Sequence, residues 1–280
     1  MYWVSVHLAV VFKLRNQTID LFTSLILLIF RKSLSRSQLR LLNIILRAQG
    51  FNNFQNSHES GEKFFIEEIL AHASPKICID IGANQGDYSK ELLSKTNAKV
   101  IAFEPLLGEY SKLVSRLSIY GDRFTGINMG LGSKTGKDFI YYNPNATTHA
   151  SYTTEIQDID YISNDFRQEV NTTTLDDFVE SNKISSIDLI KIDVEGYEKE
   201  VFVGAVKTLQ IYKPKYVQIE MNWHQMFRGT SLLYFSKQLP NYKLFQLLKD
   251  GWIQRNPMDP LVNLYLYSNF VFVRDEKTFN

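Results

Sequence analysis

The 280-residue sequence predicts an α/β fold: a doubly wound, mostly parallel seven-stranded sheet preceded by an N-terminal helical extension. Three observations carry this expectation. Short apolar runs of strand length alternate with helical segments from Ile77 to Glu220, the pattern of a parallel sheet with crossover helices. The first run passes into a glycine-rich turn, Asp80-Ile81-Gly82-Ala83-Asn84-Gln85-Gly86. The composition, 44% apolar and 22% charged, is that of a globular chain and not of a disordered one.

The chain opens on residues that read as helices: Tyr2 to Phe12, Ile19 to Phe30 behind a Thr18 cap, and a basic stretch from Leu34 to Leu46 that Gly50 ends. The longest unbroken apolar run here, Leu25 to Phe30, falls short of the roughly 18–20 residues that cross a bilayer. The order of segments does not suit a signal peptide either, because an apolar segment comes first and the arginines follow. Residues 1–50 hold seven basic side chains, Arg31, Lys32, Arg36 and Arg40 among them, against Asp20 alone, and this surplus of six leaves the remainder of the chain acidic. Such an extension packs on the main domain or a partner, the commoner role of an amphipathic helix, or else lies on an anionic membrane surface; in that second reading residues 1–50 make peripheral contact with the inner face of a membrane. With a net charge of only +1, nucleic acid is not an expected partner. Cys78 is the single cysteine, which excludes an intrachain disulfide and fits a reducing, cytoplasmic setting.

A polar linker, Asn52 to Ser60, divides the helical extension, residues 1–57, from the main domain, residues 58–280. Gly61 to His72 reads as a helix entering the sheet. Strands are expected at Ile77 to Ile81, Lys99 to Glu104 and Phe124 to Met129, with helices at Tyr88 to Ser94 and Gly108 to Leu117. Asp138 to Tyr142 reads as a hairpin or flap. The Thr-, Asn- and Asp-rich stretch that follows to Gln168 is long for a structureless loop and suggests a lid. The alternation then resumes: strand Glu169 to Thr172, helix Leu175 to Ser181, strand Ile187 to Asp193, helix Gly196 to Leu209, strand Tyr216 to Glu220. Strands near Tyr242 to Leu247 and Leu264 to Val273 complete the sheet, the last as an antiparallel partner of its neighbour.

Ligands of open α/β sheets bind beyond the carboxyl ends of the strands, and three of these ends carry Asp80, Glu104 and Asp193. The turn residues Gly82, Ala83, Asn84 and Gly86 permit close backbone approach, Asn84 tolerating a positive φ where glycine would otherwise be needed. Tyr88 begins the next helix and Asn128 lies near the end of the third strand, so both join the cofactor side. Charge selects the cofactor. A dinucleotide would bring a pyrophosphate against Asp80, whereas S-adenosylmethionine brings an ammonium and a sulfonium but no phosphate. Glu104, 24 positions beyond Asp80, suits a ribose diol in either case.

These residues resemble the signatures of the FkbM-type methyltransferases: Asp80 to Gly86, Ala102-Phe103-Glu104-Pro105, Thr174-Leu175-Asp176-Asp177-Phe178, and Asp188 to Glu198, which contains Asp193-Val194-Glu195-Gly196. The resemblance covers roughly residues 58 to 273 and leaves the first fifty residues outside. It implies a Rossmann-like fold and S-adenosylmethionine-dependent methyl transfer to a hydroxyl oxygen, often of a sugar or polyketide-like product. An alcohol acceptor must lose its proton to a base or have it weakened by a divalent cation. Asp193, Glu220 and His224 are the catalytic candidates, and His149 is a second candidate base. Glu195 joins Asp193 and Glu220 as a possible Mg²⁺ ligand, but the pattern assigns no metal, because hydrated Mg²⁺ needs few protein ligands. Two other readings stay open at this point: an oxidoreductase with NAD at Glu104, and a non-catalytic, membrane-associated binding module.

Overall fold

The computed structural model describes residues 35–155, 159 and 162–275. The expected helices Tyr2 to Phe12 and Ile19 to Phe30 lie outside these residues, as do Arg31 and Lys32. The chain divides between Leu46 and Arg47. Helix α1, Arg36–Ala48, realises the basic segment: Arg36, Arg40 and Arg47 recur at helical spacing on one stripe, while Leu39, Leu41, Leu42, Ile44 and Ile45 are exposed on the other faces. Among the described residues no helix is long and apolar enough to cross a membrane.

In residues 47–280 the central sheet contains β1 Ile77–Ile81, β2 Lys99–Phe103, β3 Phe124–Ile127, β7 Leu189–Ile192, β8 Tyr216–Met221, β9 Tyr242–Leu248, β10 Gly251–Arg255 and β11 Ser268–Arg274. Their order is β10-β9-β11-β8-β7-β1-β2-β3, so the chain reverses its direction of winding at β1. From β8 to β3 all neighbours are parallel, and β11 runs antiparallel between β8 and β9 as its sequence suggested. The seven expected strands are therefore joined by an eighth, β10, paired with β9 across Lys249 and Asp250. The strand expected at Glu169 to Thr172 belongs elsewhere. As β6, Phe166–Thr173, it joins β4 Gly130–Leu131 and β5 Gly136–Tyr142 in a separate three-stranded sheet, antiparallel to β5 along that strand's whole length.

Parallel strands covered on both faces must be apolar on both, and β1, β7 and β8 are almost wholly buried. One face packs Cys78, Val100 and Leu189 against helix α2, residues 62–73, and against α3 Asp87–Lys95 and α4 Leu107–Leu117 through Phe65, Leu70, Leu92, Leu93 and Leu113. The middle of α2, Phe65–Leu70, is wound as a π-helix. On the other face Phe103 meets Phe178 of α5, Leu175–Ser181, edge to face at 4.7 Å. The helix expected from Gly196 to Leu209 is broken into α6 Glu198–Val203 and α7 Val206–Ile211. Between them Gly204 presses on the Gly132 carbonyl, where a Cβ would collide. Two short helices, α8 Trp223–Phe227 and α9 Leu232–Gln238, follow β8.

Candidate active site

At the winding reversal the chain leaves β1 in a tight turn. The N–H groups of Gly82 and Ala83 both donate to the Phe103 carbonyl, at 3.1 and 2.9 Å. Gly82 has φ +84°, and a Cβ there would strike the Asp193 carbonyl, so this position requires glycine twice over. Asn84 takes φ 47° and donates its N–H to Glu104 Oε2 at 2.8 Å, while Leu106 N–H donates to Oε1 at the same distance. Glu104 is thus held by backbone from both sides. Burial outweighs those bonds and pushes its carboxyl up to about 7.

Above the turn lies a cavity of about 760 Å³, within the range of small-molecule sites. Of the residues singled out in the sequence, Gly82, Asn84, Glu104, Asp193, Glu195, Glu220, His224 and His149 line it. Asp80, Ala83, Gly86, Tyr88 and Asn128 do not. Gly86, at φ +84°, closes the turn by donating to the Ala83 carbonyl, and Asn128 Nδ2 donates to the carbonyls of Glu104 and Pro105 from behind. Tyr88 turns down into the sheet, where its hydroxyl donates to Gln218 Oε1 at 2.6 Å.

Asp80 differs most from its expected place: it is 0% exposed, with Ser89 Oγ donating to it at 2.7 Å and the Lys191 ammonium 3.8 Å away. The acid that faces the cavity is Asp193, two residues beyond Lys191 and therefore on the same side of the sheet. Lys191 Nζ donates to Asp193 at 2.9 Å and lies 4.9 Å over the Tyr88 ring. Burial alone would lower the Lys191 pKa, but Asp193, Asp80 and Glu62 together hold it above its ordinary range. Sequence reasoning gave Lys191 no role, although a lysine inside the fully buried run Leu189–Ile192 was a visible anomaly.

At the other end of the cavity Glu195 and Glu220 join Asp193. Glu195 sits at φ 52°, its turn held by Ser151 Oγ donating to its carbonyl at 2.6 Å. Glu220 closes β8 and accepts from Asn222 Nδ2 at 2.7 Å. Asn222 also caps α8, exchanging bonds with Gln225, and this orients His224 in the first turn. His224 is 2% exposed, with Nδ1 2.7 Å from Glu195 Oε2 but out of line for a ring hydrogen bond. Burial raises Glu195 and Glu220 well above the carboxylate range and lowers His224 and His149, which favours neutral imidazoles. Asn52 and Phe54, from the presumed linker, and Tyr152 and Tyr267 also line the cavity, and no sequence signal marked them. None lies at the carboxyl end of a strand, where such residues are sought; Tyr267 stands just before the start of the antiparallel β11.

Residues 80–247 match the methyltransferase FkbM domain, and the chain belongs to that family. Membership sets it among the methyltransferases and not the nicotinamide oxidoreductases, and it implies S-adenosylmethionine as cofactor. Similar curated proteins include the hexuronic acid methyltransferase AglP of Haloferax volcanii, 28% identical over 54% of this chain and 59% of that protein. The chain thus spans less than two thirds of that relative. The 2-O-methyltransferase NoeI of Sinorhizobium fredii is 24% identical over 65% of this chain and 74% of its own. Among solved structures, the O-methyltransferase TomG of Streptomyces achromogenes, in complex with SAM, is 10% identical with a TM-score of 0.42, covering 76% of this chain and 79% of that one.

Proposed function

We propose that the chain transfers a methyl group from S-adenosylmethionine to a hydroxyl oxygen of a sugar or related polyhydroxy compound. The observation that carries the reading is the polarity of one cavity: Glu104 fixed by two backbone N–H groups at one end, and Asp193, Glu195, Glu220 and His224 gathered at the other. Glu104 retains lone pairs for two ribose hydroxyls. Asp193 supplies negative charge suited to an ammonium or sulfonium. When bound, the cofactor supplies an electrophilic methyl group, and the new C–O bond forms as the C–S bond breaks. The protein aligns the acceptor, excludes water and removes the hydroxyl proton. Neutral His224 is the base nearest Glu195 and Glu220, and a divalent cation held by the carboxylates is the other means. The sugar acceptor is carried by the activities named for AglP and NoeI.

Incubation with methyl-labelled S-adenosylmethionine and fractionated glycans, uronic acid-containing ones included, tests the proposal. Label released as an O-methyl sugar supports it. Transfer only to nitrogen, or to protein or nucleic acid, removes it. We assign residues 1–50 to peripheral contact with an anionic membrane face. Co-sedimentation with phosphatidylglycerol vesicles that weakens with salt supports this assignment, and no sedimentation at low salt contradicts it.

A further inference from the structure

We propose that Asp193, Glu195 and Glu220 form a binding site for one divalent cation of the Mg²⁺ or Mn²⁺ kind. One carboxylate oxygen from each lies within 4.8 Å of the others, on the wall of the cavity. Two come from the loop that leaves β7, Asp193 at its start and Glu195 at its left-handed position, and Glu220 comes from the end of the neighbouring strand β8. Local charge compensation is incomplete. Lys191 is bonded to Asp193 and shared with buried Asp80, while the described donor to Glu220 is the neutral amide of Asn222.

A second observation points to a ligand. His224 is 2% exposed, and neither ring nitrogen has a hydrogen-bond partner; the same is true of Glu195 Oε2, 2.7 Å from Nδ1. Buried polar atoms are rarely left so. An imidazole and a carboxylate oxygen brought together without an aligned bond, beside two further carboxylates, are placed to complete the surroundings of a cation. Three hard oxygen donors with no thiolate favour Mg²⁺ or Mn²⁺ over the nitrogen- and sulfur-rich sites of zinc. Both ions work with few protein ligands and keep positions open for water or an acceptor hydroxyl. The proposal deepens the methyl-transfer reading, on which it rests for the acceptor alone; the cation site itself stands on the cluster.

Mn²⁺ titration of the full chain without cofactor, followed by loss of the free-ion electron paramagnetic resonance signal, tests it. The expected result is one Mn²⁺ per chain, displaced by Mg²⁺, with affinity reduced about tenfold or more in Glu220→Gln. If that variant fails to fold, as judged by circular dichroism, Asp193→Asn takes its place. No uptake at millimolar Mn²⁺, or uptake unchanged in a folded variant, overturns the proposal. Stoichiometric displacement of Mn²⁺ by S-adenosylmethionine also overturns it, because the cluster then serves the cofactor's own ammonium. Separate calorimetry with S-adenosylmethionine keeps the two claims apart: cofactor binding without Mn²⁺ uptake sinks the cation and spares the enzyme reading, and the converse spares the cation.

Discussion

Asn84 shows how closely residue chemistry and pocket geometry are joined. Its φ of 47° aims its N–H at Glu104, so the residue must tolerate the left-handed region. Asn84→Gly is expected to keep both fold and cofactor affinity, whereas Asn84→Val, β-branched and strained at positive φ, should cost about 1–3 kcal/mol and weaken cofactor binding; thermal melts and calorimetry read the two effects separately. Glu104 adds a pH signature. Its folded carboxyl is raised from 4.5 to about 7, so the folded state holds a proton that the unfolded chain has released. Its contribution to stability therefore falls as pH rises from about 4.5 to 7 and is level above. Affinity for the cofactor runs the other way, since ribose hydroxyls donate to the carboxylate. Between pH 6 and 8 it should rise and then flatten, with proton release near pH 7 visible as a dependence of the binding enthalpy on buffer. A flat affinity over that range would deny Glu104 this role.

At the scale of elements, a buried polar row runs across β1, β7 and β8. Asp80, Lys191 and Gln218 are cross-strand neighbours, and Gln218 bonds onward to Tyr88, Glu62 and Asn269. Removing a buried cation leaves uncompensated charge, so Lys191→Met should destabilise the chain by about 3–5 kcal/mol, and Asp80→Asn in the same chain should recover much of that loss. Additive losses in denaturant melts would show that the two side chains are not coupled. The central strands were legible because parallel strands buried on both faces are continuous apolar runs. β10 was missed although Asp250-Gly251 is a hairpin signal, because Gly251 to Arg255 is short and only half buried. The break at Gly204 was illegible for another reason: it depends on the approach of Gly132, 72 positions away in sequence. The same distinction separates the cofactor end of the site from its other wall. Glu104 and Asp193 announced themselves by ending strands, but Tyr152, Tyr267 and Phe54 reach the cavity through tertiary placement alone.

At the scale of the molecule, the family, the winding reversal and the acidic cavity all concern residues 47–280, and the family implies a cationic cofactor that carries no phosphate. Asp80, first read as the group that turns a pyrophosphate away, lies beneath the turn and is matched by Lys191, and the acids that line the cavity are Glu104, Asp193, Glu195 and Glu220. Calorimetric titration of the full chain at pH 8 with S-adenosylmethionine, and in parallel with NAD, decides between the two cofactors. One molecule of S-adenosylmethionine is expected to bind per chain, more weakly in Glu104→Ala, with no heat from NAD. Binding of NAD with none of S-adenosylmethionine would contradict it.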